Sequence, residues 1–191
     1  MTARARVGVG AVTPASDPEL LQRLAGGEMS ALGEVYDRHR EPLRRFIARA
    51  TANAEDVDDL LHATFLEAAK SASRFDGRPS CRPWLVGIAA QLLRRRRQGF
   101  QRWLAVLSSL ASTRGHASDP RTRLETRSDV DRALARVSEA KRVTLLMCEV
   151  EGLSCQEVAT ALAIPIGTVW TRLHAARREL RDALEEASLA R

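Results

Sequence analysis

The chain has 191 residues, a formal net charge of +6 and a sequence pI near 10.2. Apolar residues make up 45% of the chain and aromatic residues only 4%, and β-branched residues never alternate with polar ones, so we expect an all-α protein built as one domain or two small ones. No apolar run approaches the length of a membrane span and no hydrophobic signal core follows the N-terminus, so we expect no membrane insertion, and the basic balance favours nucleic acid as partner.

The N-terminal part of the chain begins without periodic structure. Residues 1–16 are small, Gly-containing and aperiodic, and we predict that they are disordered. The first helix is predicted to start at Asp17-Pro18, with Asp17 as its cap, and to end at Gly26-Gly27. The second is predicted to start near Glu28, and Pro42 is expected to break or kink it.

Two further helices complete a first helical domain, which we place at residues 17–98. One starts near Ala54, and the acidic residues at 55–59 crowd its first turns, where the helix dipole favours them. The other begins near Trp84 and ends in four consecutive arginines, Arg94 to Arg97. The loop between them, Ser73 to Arg82, is rich in turn-forming residues.

We interpret residues 99–127 as a flexible linker because Gly, Ser and Pro recur in it. Within it, the apolar residues between Phe100 and Leu110 could form one short amphipathic helix. This stretch could pack on the first domain, bind a regulator or occupy a channel in a larger partner.

The second helical domain, residues 128–187, contains a helix-turn-helix pattern. Ser154 and Glu157 form an S-x-x-E capping box, Pro165 closes the short helix that follows, and Thr168 is the expected cap of the next helix. That last helix has one apolar face, starting at Val169, and an opposite cationic, partly aromatic face. Such a helix suits the DNA major groove, although the arginines alone would fit a solvated surface.

The chain has no pattern typical of an enzyme. It lacks a phosphate-binding glycine loop and a nucleophile elbow, so we expect no catalytic activity. The carboxylates at 55–59 could form a divalent-metal site, but they lack the His and Asp partners of a hydrolytic centre. Cys81, Cys148 and Cys155 have no CxxC spacing, which predicts reduced thiols in the cytoplasm, and we expect neither a metal nor a cofactor.

Three segments in this order resemble the bacterial RNA polymerase sigma factors of the sigma-70 family, in the extracytoplasmic-function (ECF) group. The segment from Ala54 to Leu66 is similar to the family's polymerase-binding segment, and the segment from Trp84 to Ala89 to its promoter-melting segment. The segment from Gly167 to Arg177 is similar to its recognition helix. The resemblance covers about residues 17–98 and 128–186.

The resemblance implies a transcription initiation factor that binds the large subunits of core RNA polymerase and promoter DNA, with an anti-sigma factor as a further partner. Core polymerase would be bound by charged and apolar residues of the acidic helix: Asp56, Asp59, Leu60, His62, Phe65 and Leu66. The minus-10 element would be bound by Arg78, Arg82, Trp84, Gln91, Arg94, Arg95, Arg96 and Arg97. The minus-35 element would be read by Thr168, Trp170, Thr171, Arg172, His174, Arg177 and Arg178. Trp84 and Phe65 could instead belong to the core.

The sequence departs from the family pattern at several of these positions. Members usually have glutamine where His62 stands, an Arg-Asn pair at Ala90-Gln91 and aspartate at Arg95. In the recognition helix a basic residue is frequent at Ala175, and a tryptophan at position 170 is unusual. These changes bear on promoter preference. Two alternatives therefore stay open: an inactive sigma-like protein that sequesters a partner, and a stand-alone helix-turn-helix repressor.

Overall fold

The computed structural model describes residues 15–51, 53–110 and 129–189, of which 100–110 are described as backbone only. Within these ranges every regular element is helical. The α-helices are α1 (Asp17–Ala25), α2 (Ser30–Ala50), α3 (Asp56–Ser71), α4 (Arg82–Leu110), α5 (Asp129–Arg136), α6 (Glu139–Glu149), α7 (Cys155–Leu162) and α8 (Ile166–Leu189), and one 3₁₀ turn spans Ala72–Arg74. The predicted all-α class is confirmed.

The start of α1 differs from the prediction in its cap. Ser16, rather than Asp17, is the N-cap, and its side chain and backbone N–H both pair with the carboxylate of Glu19, the N–H at 2.7 Å. Asp17 is the first helical residue and is buried. Its carboxylate is therefore free to bind other elements of the first domain.

The second helix is not broken at Pro42. Helix α2 runs without interruption from Ser30 to Ala50, with Pro42 inside it. Leu43, Phe46 and Ile47 lie just beyond the proline and are all buried. Their burial offsets the cost of the missing N–H bond, which shows tertiary packing overriding a local breaker.

Helices α1 to α4 pack around one apolar core, and a polar network lies inside it. The carboxylate of Asp17 lies 2.6 Å from Nη1 of Arg38 and 2.8 Å from Nε2 of His39, and it accepts a hydrogen bond from the backbone N–H of Cys81 at 2.8 Å. Asp17, His39 and Cys81 each offer a potential metal ligand, and these ligand atoms lie within 4.8 Å of one another. Because the carboxylate is already satisfied by Arg38 and two further donors, hydrogen bonding accounts for the cluster.

The predicted helix-turn-helix is present. The Ser154–Glu157 capping box begins α7, with the Ser154 N–H 2.9 Å from the Glu157 carboxylate. Ala163 ends this helix in the left-handed conformation, with φ of 49°. Helix α8 starts at Ile166, directly after Pro165, so Thr168 lies in its first turn and is not the cap that we predicted.

Helix α4 extends beyond residue 98, where we predicted that the first domain ends. It continues through the arginines to Leu110, so residues 99–110 prolong α4 instead of forming a separate helix within a linker. Gly99 lies in this continuous helix and does not interrupt it. The rest of the predicted linker, residues 111–127, lies outside the described residues, and so do residues 1–14 of the segment 1–16 that we predicted to be disordered. Its last residue, Ser16, is ordered as the cap of α1.

The two helical groups contact each other directly. Helix α7 packs on α4, while α5 and α6 contact α2. A Cβ added at Gly87 would lie 3.3 Å from the Cβ of Ala161, so this crossing of α4 and α7 depends on two small residues. No helix in the described ranges is long and apolar enough to cross a membrane.

Candidate functional site

Helix α3 presents one exposed face that carries three of the residues predicted to bind polymerase. Asp59, His62 and Leu66 are spaced three and four residues apart and are all exposed, Leu66 at 58%. The ring of His62 stacks on Tyr36 of α2, with 6.4 Å between ring centroids and 9° between planes. The face therefore combines an acidic group, an oriented aromatic ring and an open leucine.

The other residues predicted for this face are less accessible. Leu60 and Phe65 are 5% and 3% exposed, and Phe65 packs on Tyr36 with ring centroids 4.8 Å apart. Asp56 is half-buried and forms an ion pair with Arg96 of α4. Leu60 and Phe65 thus support the face from the core, and among the apolar residues predicted here Leu66 alone is exposed.

The start of α4 lies against the second domain. Trp84 is half-buried and packs on Phe75, with ring centroids 5.4 Å apart. Arg78, in the preceding loop, lies 3.1 Å from the carboxylate of Glu157, and Nε of Arg82 lies 2.8 Å from that of Glu151, although the Arg82 N–H is not aligned for a hydrogen bond. These ion pairs cross from the first domain to the second.

Further along α4, two polar side chains bind the end of α7. The side-chain amide of Gln91 donates to the carbonyl oxygen of Ala161 at 2.8 Å. The guanidinium of Arg94 donates to the carbonyl oxygens of Leu162 and, at 3.4 Å, Ala163. Carbonyls at a helix C-terminus carry partial negative charge, so a cation is favoured there.

The remaining arginines of the predicted minus-10 group are open to solvent. Arg95, Arg96 and Arg97 are all exposed, and Arg96 is paired with Asp56 as described. Within the described residues, Arg95 and Arg96 make no ion pair, hydrogen bond or shared cavity with the second domain, whereas Arg97 lines a cavity together with Glu139 and Arg172 of that domain. The other residues of this group lie along the contact between the first domain and the second, which we call the seam.

The recognition helix α8 keeps most of its predicted reading face exposed. Trp170 is 58% exposed, and Thr171, His174 and Arg178 are exposed as well. Arg177 is exposed and forms an ion pair with Glu149, in which Nε lies 3.0 Å from the carboxylate oxygen. This face combines an aromatic ring, a hydroxyl, an imidazole and two guanidinium groups, a set that can contact bases and phosphates.

Two residues predicted for the same face point elsewhere. Thr168 and Arg172 are half-buried. Burial lowers the pKa of Arg172, and the charges of Arg94 and Arg97 on α4 lower it further. Arg172 therefore faces the seam between the domains, where it meets other cations.

Sequence reasoning missed a buried arginine that joins the two domains. Arg142 of α6 is 2% exposed, and its guanidinium donates to the carbonyl oxygen of Ala50, the last residue of α2, from Nε at 3.1 Å and Nη2 at 2.9 Å. It also donates to the carbonyl of Leu134 at 3.1 Å. The sequence feature that could have identified it is an arginine next to the apolar residues that follow it, in the segment 142–147 that the structure buries, since a charged residue there needs a partner.

Two protein-family models match separate parts of the chain. The model of sigma-70 region 2 matches residues 35–104, and that of sigma-70 region 4 matches residues 127–180. The chain is 34% identical over 163 residues to the RNA polymerase sigma factor HrpL of Pseudomonas syringae pv. syringae, covering 75% of this chain and 81% of HrpL. It is 30% identical to the sigma factor CarQ of Myxococcus xanthus, over 88% of this chain and 98% of CarQ.

Other similarities extend the comparison to named ECF proteins and to solved structures. The ECF sigma factor SigM of Mycobacterium tuberculosis is 29% identical over 93% of this chain and 89% of its own length. The fold matches that of RpoE from Bartonella quintana, solved with the anti-sigma factor NepR, at a TM-score of 0.59 and 18% identity over 85% of this chain and 98% of RpoE. It also matches CnrH, solved with the cytosolic domain of CnrY, at a TM-score of 0.58 and 23% identity over 90% of this chain and 99% of CnrH.

Proposed function

This chain belongs to the sigma-70 family of RNA polymerase sigma factors, in its ECF group, and we propose how its residues start transcription. It is a transcription initiation factor: it binds core RNA polymerase and directs the enzyme to promoter DNA. The observation that carries this function is the order of a region 2 match and a region 4 match along one chain. Its role is to bind and position other molecules, and we propose no catalytic step of its own.

Core polymerase is bound by the exposed face of α3. A basic surface of a large polymerase subunit would pair with Asp59, and its apolar part would cover Leu66, which is 58% exposed. His62 is held by its stacking on Tyr36, so little side-chain entropy is lost when it is covered. A partner that covers this face would remove Leu66 from water, and the charge of Asp59 would help to set the orientation of the partner.

The minus-10 element is bound by the loop before α4 and by α4 itself. The arginines at 94 to 97 would neutralise backbone phosphates of the duplex. Trp84 and Arg78 form the first-domain side of a groove that α7 covers in this conformation. Once uncovered, an aromatic ring beside a guanidinium would suit an unstacked base of the non-template strand. Opening of the duplex would be driven by capture of such a base rather than by a chemical step.

The minus-35 element is read by α8. The exposed side chains of Trp170, His174 and Arg178 lie on the outer face of this helix, which is free to enter a major groove. Arg177 would exchange its partner Glu149 for a phosphate or a guanine edge. Trp170 offers an apolar contact for a thymine methyl group.

Promoter binding requires the two domains to separate. Arg78, Gln91 and Arg94 contact α7 in this conformation, so they cannot also contact DNA. We therefore regard the described conformation as a closed state, which polymerase opens by binding each domain separately. The seam combines these polar contacts with apolar ones, such as those around Leu93, Val143 and Leu162, so opening must be driven by the binding of each domain to polymerase.

An anti-sigma factor is the further partner that we propose, because RpoE and CnrH were each solved in complex with such a protein or its cytosolic domain. The cytoplasm is the proposed location, since core polymerase and promoter DNA are found there. Both assignments come from relatives, and neither rests on a particular residue of this chain.

The proposal is tested by mixing the purified chain with bacterial core RNA polymerase and following co-elution in size exclusion. We expect a stoichiometric complex that is weakened by a Leu66→Ala, Asp59→Ala variant. An Arg136→Ala variant, which changes an exposed arginine of α5 paired with Glu186, is the control and should co-elute normally. Failure of the unmodified chain to co-elute would refute the polymerase-binding function.

A further inference from the structure

A cavity lies where α4, α6 and α8 meet, and it exists only in the closed state, before Arg94 and Arg97 become available to the minus-10 element. Its volume is about 290 Å³. Its polar lining consists of Arg94, Arg97 and Gln98 of α4, Glu139 of α6 and Arg172 of α8. We call it the seam cavity, because both domains contribute to it.

The seam cavity has an excess of positive charge. Three guanidinium groups line it, those of Arg94, Arg97 and Arg172, against one carboxylate. Within the described part of the chain, Arg97 and Arg172 form no ion pair, and the donors of Arg94 go to the backbone carbonyls of Leu162 and Ala163. Like charges brought together in a half-buried site repel one another, and the closed state bears this cost.

The single carboxylate is a poor counter-ion for these arginines. Burial raises the pKa of Glu139, and this effect outweighs the lowering by the charges of Arg97, Arg142 and Arg96. Glu139 makes no hydrogen bond within the described residues. The cavity therefore keeps a net positive charge at neutral pH.

The start of α6 adds to this potential. Glu139 is the first residue of α6, and the N-cap Ser138 makes no side-chain capping hydrogen bond. Ala140, the second residue, also lines the cavity. The positive end of the helix dipole thus lies at the same place as the three arginines, although the arginines supply most of the charge.

We propose that the seam cavity binds a small multiply charged phosphate compound of the diphosphate class. Three guanidinium groups and the Gln98 amide supply the fork-shaped and single donors that phosphate oxygens accept. A bound diphosphate would replace repulsion among Arg94, Arg97 and Arg172 with charge-assisted hydrogen bonds. A single chloride could not satisfy these four side chains from two helices at once.

Such an anion would favour the closed state. Arg94 and Arg97 belong to the first domain and Arg172 to the second, so the full set of donors exists only when the domains are together. A ligand that binds one conformation better shifts the population towards it. Binding of the anion to this site does not depend on the proposed function. Its consequence, that the chain would bind polymerase and promoter more slowly, does rest on that function.

The test is isothermal titration of the full chain with inorganic pyrophosphate, at constant ionic strength and without polymerase or DNA. We expect one saturable site, and small-angle scattering should show a radius of gyration no larger than that of the free chain. Arg172→Gln should weaken binding about tenfold or more, because a charge-assisted donor is lost. Arg95→Gln removes the same charge from an exposed position on α4 and should leave the affinity unchanged.

A second variant guards against a loss that merely reflects misfolding. Glu139→Gln removes the only carboxylate from the cavity, so we expect pyrophosphate to bind several-fold more tightly, which an unfolded chain would not do. Equal losses in Arg172→Gln and Arg95→Gln would show diffuse attraction to a cationic surface and would overturn the proposal. The proposal would also be overturned if pyrophosphate did not bind while a short single-stranded oligonucleotide bound saturably and in a way that depends on Arg172.

Discussion

The guanidinium of Arg142 in the second domain donates two hydrogen bonds to the carbonyl oxygen of Ala50 at the end of the first, at 2.9 and 3.1 Å. Ala50 is the last residue of α2, where backbone carbonyls lack intrahelical donors. The buried guanidinium of Arg142 therefore caps the C-terminus of α2 and joins the two domains at the same point. This pair is the most buried polar link across the seam.

Replacing Arg142 with methionine should weaken the closed state. The substitution keeps an apolar stem but removes both guanidinium donors to the carbonyl of Ala50 and one of the donors to that of Leu134, which keeps the N–H of Val137. We expect the free energy of unfolding to fall by roughly 2–3 kcal/mol. Urea denaturation followed by circular dichroism measures this. Arg132→Met, at an exposed residue paired with Asp129 within α5, is the control and should change it by less than about 0.5 kcal/mol. Equal stability of the two variants would contradict the assigned role of Arg142.

The contact between Gly87 and Ala161 offers a way to open the domains by steric means. Gly87→Leu places a side chain where even a Cβ would come within 3.3 Å of the Ala161 Cβ, so α7 must move away from α4. Small-angle scattering should show a larger radius of gyration with unchanged helix content. Gly99→Leu is the matched control, because no atom lies within 4 Å of a Cβ at that position of the same helix. An unchanged radius for Gly87→Leu would show that the domains do not meet in this way in solution.

Two neighbouring residues of α3 should give opposite results. Phe65→Ala removes a ring that is 3% exposed, so we expect a loss of about 3–5 kcal/mol in the free energy of unfolding. Leu66→Ala, at a residue that is 58% exposed, should leave stability within about 0.5 kcal/mol and weaken core polymerase binding about tenfold. Urea denaturation and fluorescence anisotropy with core polymerase separate the two effects. Normal polymerase affinity in Leu66→Ala would remove Leu66 from the interface.

Arg177 should contribute to duplex binding through a phosphate contact. Arg177→Ala is expected to reduce the slope of log affinity against log salt concentration by about 1, because one fewer counterion is released. The measurement is a salt titration of binding to a promoter duplex, with Arg136→Ala as the control of equal charge change. Binding to core polymerase alone should be unaffected by Arg177→Ala. A slope that falls equally in both variants would indicate a general charge effect.

The buried pair of Asp17 and His39 should make stability depend on pH. Burial lowers the pKa of His39 below its usual 6.5, and the neighbouring Asp17 charge only partly opposes this. For Asp17, burial raises the pKa, but the bonds from Cys81 and Arg38 and the charge of His39 bring it below its usual 3.8. As the pH falls through 6.5 the unfolded chain binds more protons than the folded one at His39, so stability falls on acidification, and Asp17 adds a loss of the same sign only at lower pH, near its ordinary pKa of 3.8.

This dependence is measured as the urea midpoint between about pH 7.5 and pH 5, a range set by the ordinary histidine pKa. His39→Gln should flatten the curve in this range, since no buried imidazole remains to be protonated. His62→Gln removes an exposed imidazole and should keep the slope of the unmodified chain. A flat curve for the unmodified chain would contradict the account of the Asp17–His39 pair.

Patterns that act over a few residues predicted the helices and the family well. The capping box at Ser154 and the apolar period from Val169 onwards identified the helix-turn-helix, because each depends only on local geometry. Local rules did not predict where helices continue through residues that often end them. Pro42 lies inside α2 because the residues beyond it are buried, and α4 continues past Gly99 to Leu110.

The seam between the domains could not be predicted. From the sequence, the polar side chains of Arg78 and Gln91 could equally be exposed to solvent or bind DNA. Nothing in the sequence indicates that they donate to Glu157 and Ala161. Gly87 and Ala161 are common residue types, and their role becomes visible only when the structure shows that α4 and α7 lie close together at these two positions. The roles of the individual polymerase and promoter residues stay predictions, since burial and exposure describe accessibility and not binding.

The most direct test of the central claim is run-off transcription by core RNA polymerase and this chain, on DNA from upstream of its own gene. We predict one discrete transcript that requires the chain and disappears in the Arg177→Ala, Trp170→Ala double variant, while co-elution with polymerase persists. A complex with polymerase that gives no transcript on any upstream fragment would favour an inactive, sequestering protein. Binding to duplex DNA without any binding to polymerase would contradict the account and would indicate a stand-alone repressor.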